Sequence, residues 1–237
     1  MFKENLIEAA KIFGCDFSEE QLRQFEIFYR MTIEYNKKIN LTAITEPKDF
    51  AVKHIIDSLA VYDEKFFAGA KKIIDVGTGA GFPGIPLKIF LPDVEIFLLD
   101  SLAKRTDFLK SVVAELNLKN VVCVHGRAED FARQKDFREM FDVATARAVA
   151  GLNVLSEYCL PFVKVGGFFA ALKGKKFREE ISDAQTAVKT LGGGKISFAE
   201  KKLPGLPDVR AVIYIAKEKP TPKKFPRKAG TPPKNPL

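Results

Sequence analysis

At 237 residues, with 46% hydrophobic residues and a formal net charge of +8, the chain is long enough to bury one full core and a small appendage. No apolar run approaches the ~18 residues of a membrane span. The first residues carry acids where a signal peptide would not, and two histidines with three scattered cysteines (Cys15, Cys123, Cys159) give no metal-ligand spacing. A membrane span, a disulfide scaffold and a zinc site are thereby excluded, and a reducing cytoplasm is expected.

The opening stretch MFKENLIEAAKIFG reads as an amphipathic helix with Leu6, Ala10 and Phe13 on one face. A second helix is predicted from Ser18, which stands in capping-box spacing with Gln21, and Leu22, Phe25, Phe28 and Tyr29 follow at helical intervals. Pro47 breaks the pattern, and DFAVKHIIDSLAVY resumes as a shorter helix. Residues 1–70 are therefore expected to form a helical N-terminal segment.

From Lys72 the texture changes to seven short apolar runs: KIIDVG, VEIFLLD, NVVCVHG, FDVATA, GGFFAALK, KISFAE and RAVIYIAK. Helical patterns separate the first five; in AKRTDFLKSVVAELN, Phe108, Leu109, Val112, Val113 and Leu116 make one stripe. Apolar strands alternating with helices predict a parallel sheet covered on both faces. The last two runs are joined by KKLPGLPDV without a helix, so they are expected to pair antiparallel. The predicted fold class is α/β, a doubly wound, mostly parallel seven-stranded sheet over residues 71–217. Residues 218–237 form a basic, proline-rich tail. From Lys217 onward, seven Lys/Arg stand against one Glu, a net +6, and six of the thirteen prolines fall there. Prolines forbid helix and central strand, so the tail is expected to be extended. It reads either as a solvated terminus or as an arm for a polyanion such as RNA.

The stretch IIDVGTGAGFPGIPL (Ile73–Leu87) carries the chemistry. Ligands of such sheets bind beyond the carboxyl ends of the strands, where Gly77, Gly79 and Gly81 follow the first strand. Asp100 ends the second strand, 21 residues after Gly79, where a carboxylate can accept from ribose hydroxyls. GAGFPG fits a dinucleotide fingerprint, so NAD is one reading. Pro83 and Pro86, however, delete amide donors where a pyrophosphate would need them. S-adenosylmethionine, with one carboxylate, loses less, and the D-x-G-x-G-x-G form from Asp75 to Gly81 is usual in methyltransferases. No Tyr-x-x-x-Lys occurs, and about 70 residues precede the turn. Both observations weigh against a dehydrogenase.

The place after the fourth strand reads ATARA, not the Asn/Asp-Pro-Pro-aromatic loop of exocyclic-amine methylation. Cys159 lies within a predicted helix and reads as a buried small hydrophobe, so no nucleophile for pyrimidine carbon is evident. An acceptor that is already nucleophilic remains, guanine N7 among them. Its lone pair needs no general base, and catalysis is then positioning plus tolerance of a cationic product.

NLTAI (Asn40–Ile44), HIIDS (His54–Ser58), the glycine turn, LLDSLAKR (Leu98–Arg105), RAED (Arg127–Asp130), ARA (Ala146–Ala148) and ALKG (Ala171–Gly174) occur in order. Together they resemble the ribosomal RNA small subunit methyltransferase G family, also called glucose-inhibited division protein B. The tail PKKFPRKAGTPPKNPL resembles the ending of one subset of that family. The resemblance implies a Rossmann-like bacterial cytoplasmic enzyme. It methylates N7 of one guanine in 16S ribosomal RNA, free or in the small ribosomal subunit, with S-adenosylmethionine and no metal. It also implies that Gly77, Gly79 and Phe82 line the cofactor and that Asp100, Ser101 and Leu102 take its ribose and adenine side. Ala128 and Glu129 meet the adenine, and Arg147 acts beside the methionine end or the RNA as the catalytic candidate. His54 reads as a surface cap or as part of the RNA face, Asn40 as a turn residue or an RNA contact. Lys104 and Arg105 open a helix, where cations are disfavoured by about 0.3–1 kcal/mol each, which hints at RNA as readily as at solvent. Two other classes stay open at this point: a non-catalytic RNA-binding protein with a vestigial nucleotide turn, and an NAD-linked oxidoreductase.

Overall fold

Ser18 and Gln21 form the capping box that their spacing predicts. The Gln21 N–H donates to Ser18 Oγ at 3.2 Å and the Ser18 N–H to Gln21 Oε1 at 2.9 Å. In this computed structural model, which describes residues 1–207 and 209–237, that box starts α2 (Glu19–Asn36), after α1 (Phe2–Phe13). The shorter helix expected next is a run of α3 (Pro47–Phe50), a π-helical stretch Ala51–Ile56 and α4 (Asp57–Leu59). A short α5 (Glu64–Phe67) leads into the sheet.

All seven apolar runs are strands: β1 (Lys72–Val76), β2 (Glu95–Asp100), β3 (Val121–His125), β4 (Phe141–Arg147), β5 (Val163–Lys173), β6 (Gly193–Lys202) and β7 (Val209–Lys217). They form one sheet in the order β3-β2-β1-β4-β5-β7-β6. The first five are parallel; β7 lies antiparallel between β5 and β6. The connection KKLPGLPDV includes position 208, which lies outside the described residues. Intervening helices are α6 (Gly84–Phe90), α7 (Ala103–Glu115), α8 (Ala128–Phe131), α9 (Leu152–Cys159) and α10 (Phe177–Thr190).

Period-two alternation sends successive strand residues to opposite faces. Ile73, Ile96 and Leu98 join a core with Leu6, Phe25, Phe28 and Phe50 of the N-terminal helices. Ile74, Phe97 and Leu99 join the opposite core with Leu155 of α9 and Ala184 of α10. The N-terminal helices thus complete one face of the sheet, sharing its core.

The tail is not extended. Phe225 is buried in the second core and Leu237 packs against it. Arg138 donates to the carbonyls of Thr221 at 2.7 Å and Phe225 at 2.8 Å, and Thr221 N–H donates to Glu139 at 2.6 Å. Arg227 forks onto Glu157, whose side chain is 1% exposed, with contacts of 2.6 and 3.0 Å. Near its end the tail makes a turn of helix, α11 (Thr231–Lys234). Prolines do exclude long regular elements here. Side-chain donors on the domain take up the tail's carbonyls instead, and that partnership is not written in the tail's own composition.

Candidate active site

The turn after β1 is built around Asp75. Its Oδ2 accepts from Thr78 Oγ1 at 2.6 Å and from the Gly84 N–H at 2.8 Å, which ties both ends of the turn to the strand. Oδ1 is buried with no hydrogen-bond partner among the described residues, and burial pushes the carboxyl up to about 7. Gly79 has φ of 61°, and a Cβ there would meet nothing within 4 Å. The glycine leaves bare backbone facing open space, an arrangement suited to close approach of a ligand.

Asp100 closes the next link. Its Oδ2 accepts from the Gly79 N–H at 2.8 Å and its Oδ1 from the Leu102 N–H at 2.9 Å. The carboxylate therefore fixes the turn after β1 to the loop after β2, and each oxygen keeps a further lone pair. Gly77, Asp100, Ser101, Ala128 and Glu129 line one cavity of about 250 Å³ at the carboxyl end of the sheet. Glu129 is 4% exposed and accepts from the Gly230 N–H at 3.2 Å. Sequence reasoning missed Tyr158 and Pro233 in the same lining. Tyr158 stands beside Cys159, which is fully buried as expected, and nothing in its spacing marks it.

Not all the expected residues meet there: Gly79, tied to Asp100 through its N–H, is outside that lining. Phe82 is buried in the first core, with the His54 ring stacked on it at 4.2 Å and 11°. Leu102 is 51% exposed and borders a neighbouring groove with Lys38, Asn40, Lys104 and Arg105. Arg105 lies 3.6 Å from Asp100. Asn36, rather than Asn40, organises the loop after α2, by accepting from the N–H groups of Leu41 and Thr42.

Arg147, at the end of β4, lines a second cleft with Lys53, Asp57, Lys173 and Arg210. Its guanidinium donates to Asp57 at 2.8 Å, to the Lys53 carbonyl at 3.0 Å and to His54 Nδ1 at 3.1 Å. It also lies 5.0 Å from the centre of the Phe82 ring. A guanidinium only donates, so His54 Nδ1 accepts and the ring proton sits on Nε2, directed at Thr42 Oγ1 at 2.7 Å. Burial and the adjacent Arg147 push His54 down to about 3, so the imidazole is neutral at physiological pH. Both ring nitrogens are engaged, and His54 is no surface cap. Asp57 lies within HIIDS, but its pairing with a residue ninety positions away carries no sequence signal.

The two clefts meet on one short stretch: Arg147 and Ala148 line one, Val149 and Ala150 the other. Among the described residues no group of His, Cys, Asp and Glu is placed to hold a metal ion, and no helix is long and apolar enough to cross a membrane.

The family model for rRNA small subunit methyltransferase G matches residues 21–206. A ribosomal RNA small subunit methyltransferase G of Alkaliphilus oremlandii is 49% identical over 235 residues, covering 99% of this chain and 98% of its own. That of Clostridium perfringens is 50% identical over 224 residues, covering 94% of each. Among solved structures, a putative O-methyltransferase from Klebsiella pneumoniae superposes with a TM-score of 0.55 at 14% identity, over 80% of this chain and 90% of that one. At that identity the last likeness speaks for the fold.

Proposed function

The chain belongs to the rRNA small subunit methyltransferase G family, and from that premise we infer that it transfers a methyl group from S-adenosylmethionine to N7 of a guanine in 16S ribosomal RNA. The observation that carries this reading is the meeting of two clefts at residues 147–150. One is a cavity with a bare glycine backbone, a carboxylate and an apolar lining, and the other is an open, charged cleft. A donor and an acceptor nucleotide need such adjacency.

The first cavity fits the cofactor. Asp100 and Glu129 offer carboxylate oxygens for ribose hydroxyls and the adenine amine, Ala128 and Tyr158 offer apolar and aromatic surface, and Gly77 lines the cavity with backbone. When bound, S-adenosylmethionine supplies an electrophilic methyl on a sulfonium. The residues of this chain orient and exclude water. Asp100 holds the two loops in register; Arg147, fixed by Asp57, Lys53 and His54, holds the wall between the clefts. His54 offers no free base at that wall, because both its ring nitrogens are occupied. That suits an acceptor nitrogen that carries a lone pair and no proton. Lys53 and Arg210 of the second cleft suit an RNA backbone or the small ribosomal subunit, and the reaction belongs in the cytoplasm with that substrate.

Mass spectrometry of 16S ribosomal RNA from cells lacking this gene, with and without the restored gene, tests the reading. One 7-methylguanosine is expected to disappear and return. An unchanged RNA would overturn the assignment.

A further inference from the structure

The tail reaches the cofactor cavity. Pro233 lines it together with Gly77, Asp100 and Glu129. Three residues earlier, the Gly230 N–H donates to Glu129 Oε1 at 3.2 Å. Gly230 adopts φ of 82°, a left-handed turn that brings the chain back toward the cavity. The turn is held from behind. Arg227 pairs with Glu157, the neighbour of the cavity residue Tyr158, and Phe225 is sunk in the core beneath.

We propose that residues 229–233, anchored by Phe225 and Arg227, are the outer wall of the cofactor cavity, on its adenosine side, and that cofactor affinity depends on the docked tail. The proposal rests on the cofactor reading above and adds a part that the glycine turn does not contain. Two devices link the tail to the ligand. Pro233 supplies surface directly, and the Gly230 N–H occupies one lone pair of Glu129, which restricts the orientation of its carboxylate toward the cavity. Arg227 is a positioning residue, acting through the turn it anchors. Because wall and ligand share the cavity, the coupling is reciprocal: a ligand that binds the docked form more tightly shifts the tail's docking equilibrium toward the docked form by the same factor.

Two measurements test this with S-adenosylhomocysteine and adenosine as probes. The first is calorimetric affinity of the full chain and of a chain ending at Lys228. That end keeps Phe225 and Arg227 in place and removes Gly230 and Pro233. At least a tenfold weaker affinity for both probes is expected, with a cooperative melting transition retained although the packing of Pro232 and Leu237 is lost. The second needs no variant. Trypsin cleavage of the full chain after Lys228 should slow at least tenfold on adding S-adenosylhomocysteine, while cleavage at exposed Lys175 and Lys176 should not. Equal affinity for the two chains, or, where the shortened chain does not fold, unchanged cleavage after Lys228, overturns the proposal alone. A full chain that binds neither probe overturns the cofactor reading and the proposal with it.

Discussion

Two buried groups of opposite character sit near the wall between the clefts. Asp75 is held up to about 7, so between pH 3.8 and 7 the native state keeps a proton that the unfolded chain has lost. Stability from this group falls as pH rises through that window. His54 is held down to about 3, so between pH 6.5 and 3 the unfolded chain binds a proton that the native ring refuses, and stability falls as pH drops. The slopes oppose one another from pH 6.5 to 3.8, and a titration of the intact protein shows little of either. Asp75→Asn separates them: the stability of the native chain relative to this variant should grow as pH is lowered from 7 to 4, by about 1.4 kcal/mol per pH unit at most. Urea titrations at several pH values read this, and a constant difference would remove Asp75 from the account. The same carboxyl bears on catalysis. With an unprotonated acceptor, the single-turnover methyl-transfer rate should stay nearly flat from pH 6 to 8. A tenfold rise per pH unit would mark a titrating base, and repeating the profile on Asp75→Asn identifies whether Asp75 is that base. Asp100 makes a further prediction. Its two loop-fixing hydrogen bonds and its place in the cavity imply that Asp100→Ala weakens cofactor binding by about 1.5–3 kcal/mol. Undiminished affinity in the folded variant would contradict its role.

At the scale of elements, the strands were legible because apolar runs between helical stripes have few other solutions, and the capping box at Ser18 marked α2 through local chemistry. The π-helical stretch was not legible. A wider turn at Ala51–Ile56 has no compositional sign, and it is the stretch that holds His54 and the Lys53 carbonyl against Arg147. In the site, Gly77 and Asp100 could be read because they stand at strand ends, and Ala128 and Glu129 were expected only through the family resemblance. Asp57, Tyr158 and Pro233 could not, since their roles depend on partners supplied by other elements. The tail shows the same limit: the Arg227–Glu157 pair spans seventy positions. Its folding changes what an RNA experiment should show. Lys217 is buried and Arg227 is paired, leaving Lys219, Lys223, Lys224, Lys228 and Lys234 exposed. Replacing these five lysines by glutamine in the full chain should flatten the plot of log K against log salt for RNA. The reduction should be about 0.7–0.9 for each lysine that meets a phosphate. An unchanged slope would place the RNA surface on the second cleft and its surroundings.

Over the whole molecule, the chain brackets its own sheet, with the N-terminal helices on one face and the tail against the other. Phe25, Phe28 and Phe50 are wholly buried in the core shared with Ile73 and Leu98, at about 1.5–3 kcal/mol for each buried side chain. Helical segment and sheet are therefore expected to unfold as one unit. A chain beginning at residue 71 should show no cooperative melting transition, whereas separate transitions for the two parts would make the segment an independent domain. The order of the chain has one more effect. Every strand and the glycine turn are complete by Lys217, and Gly230 and Pro233 follow it. During synthesis the sheet can assemble while that side of the cavity still stands open. Capture of the cofactor then becomes a late step in the making of the protein, timed by the arrival of Gly230 and Pro233 rather than by the folding of the sheet.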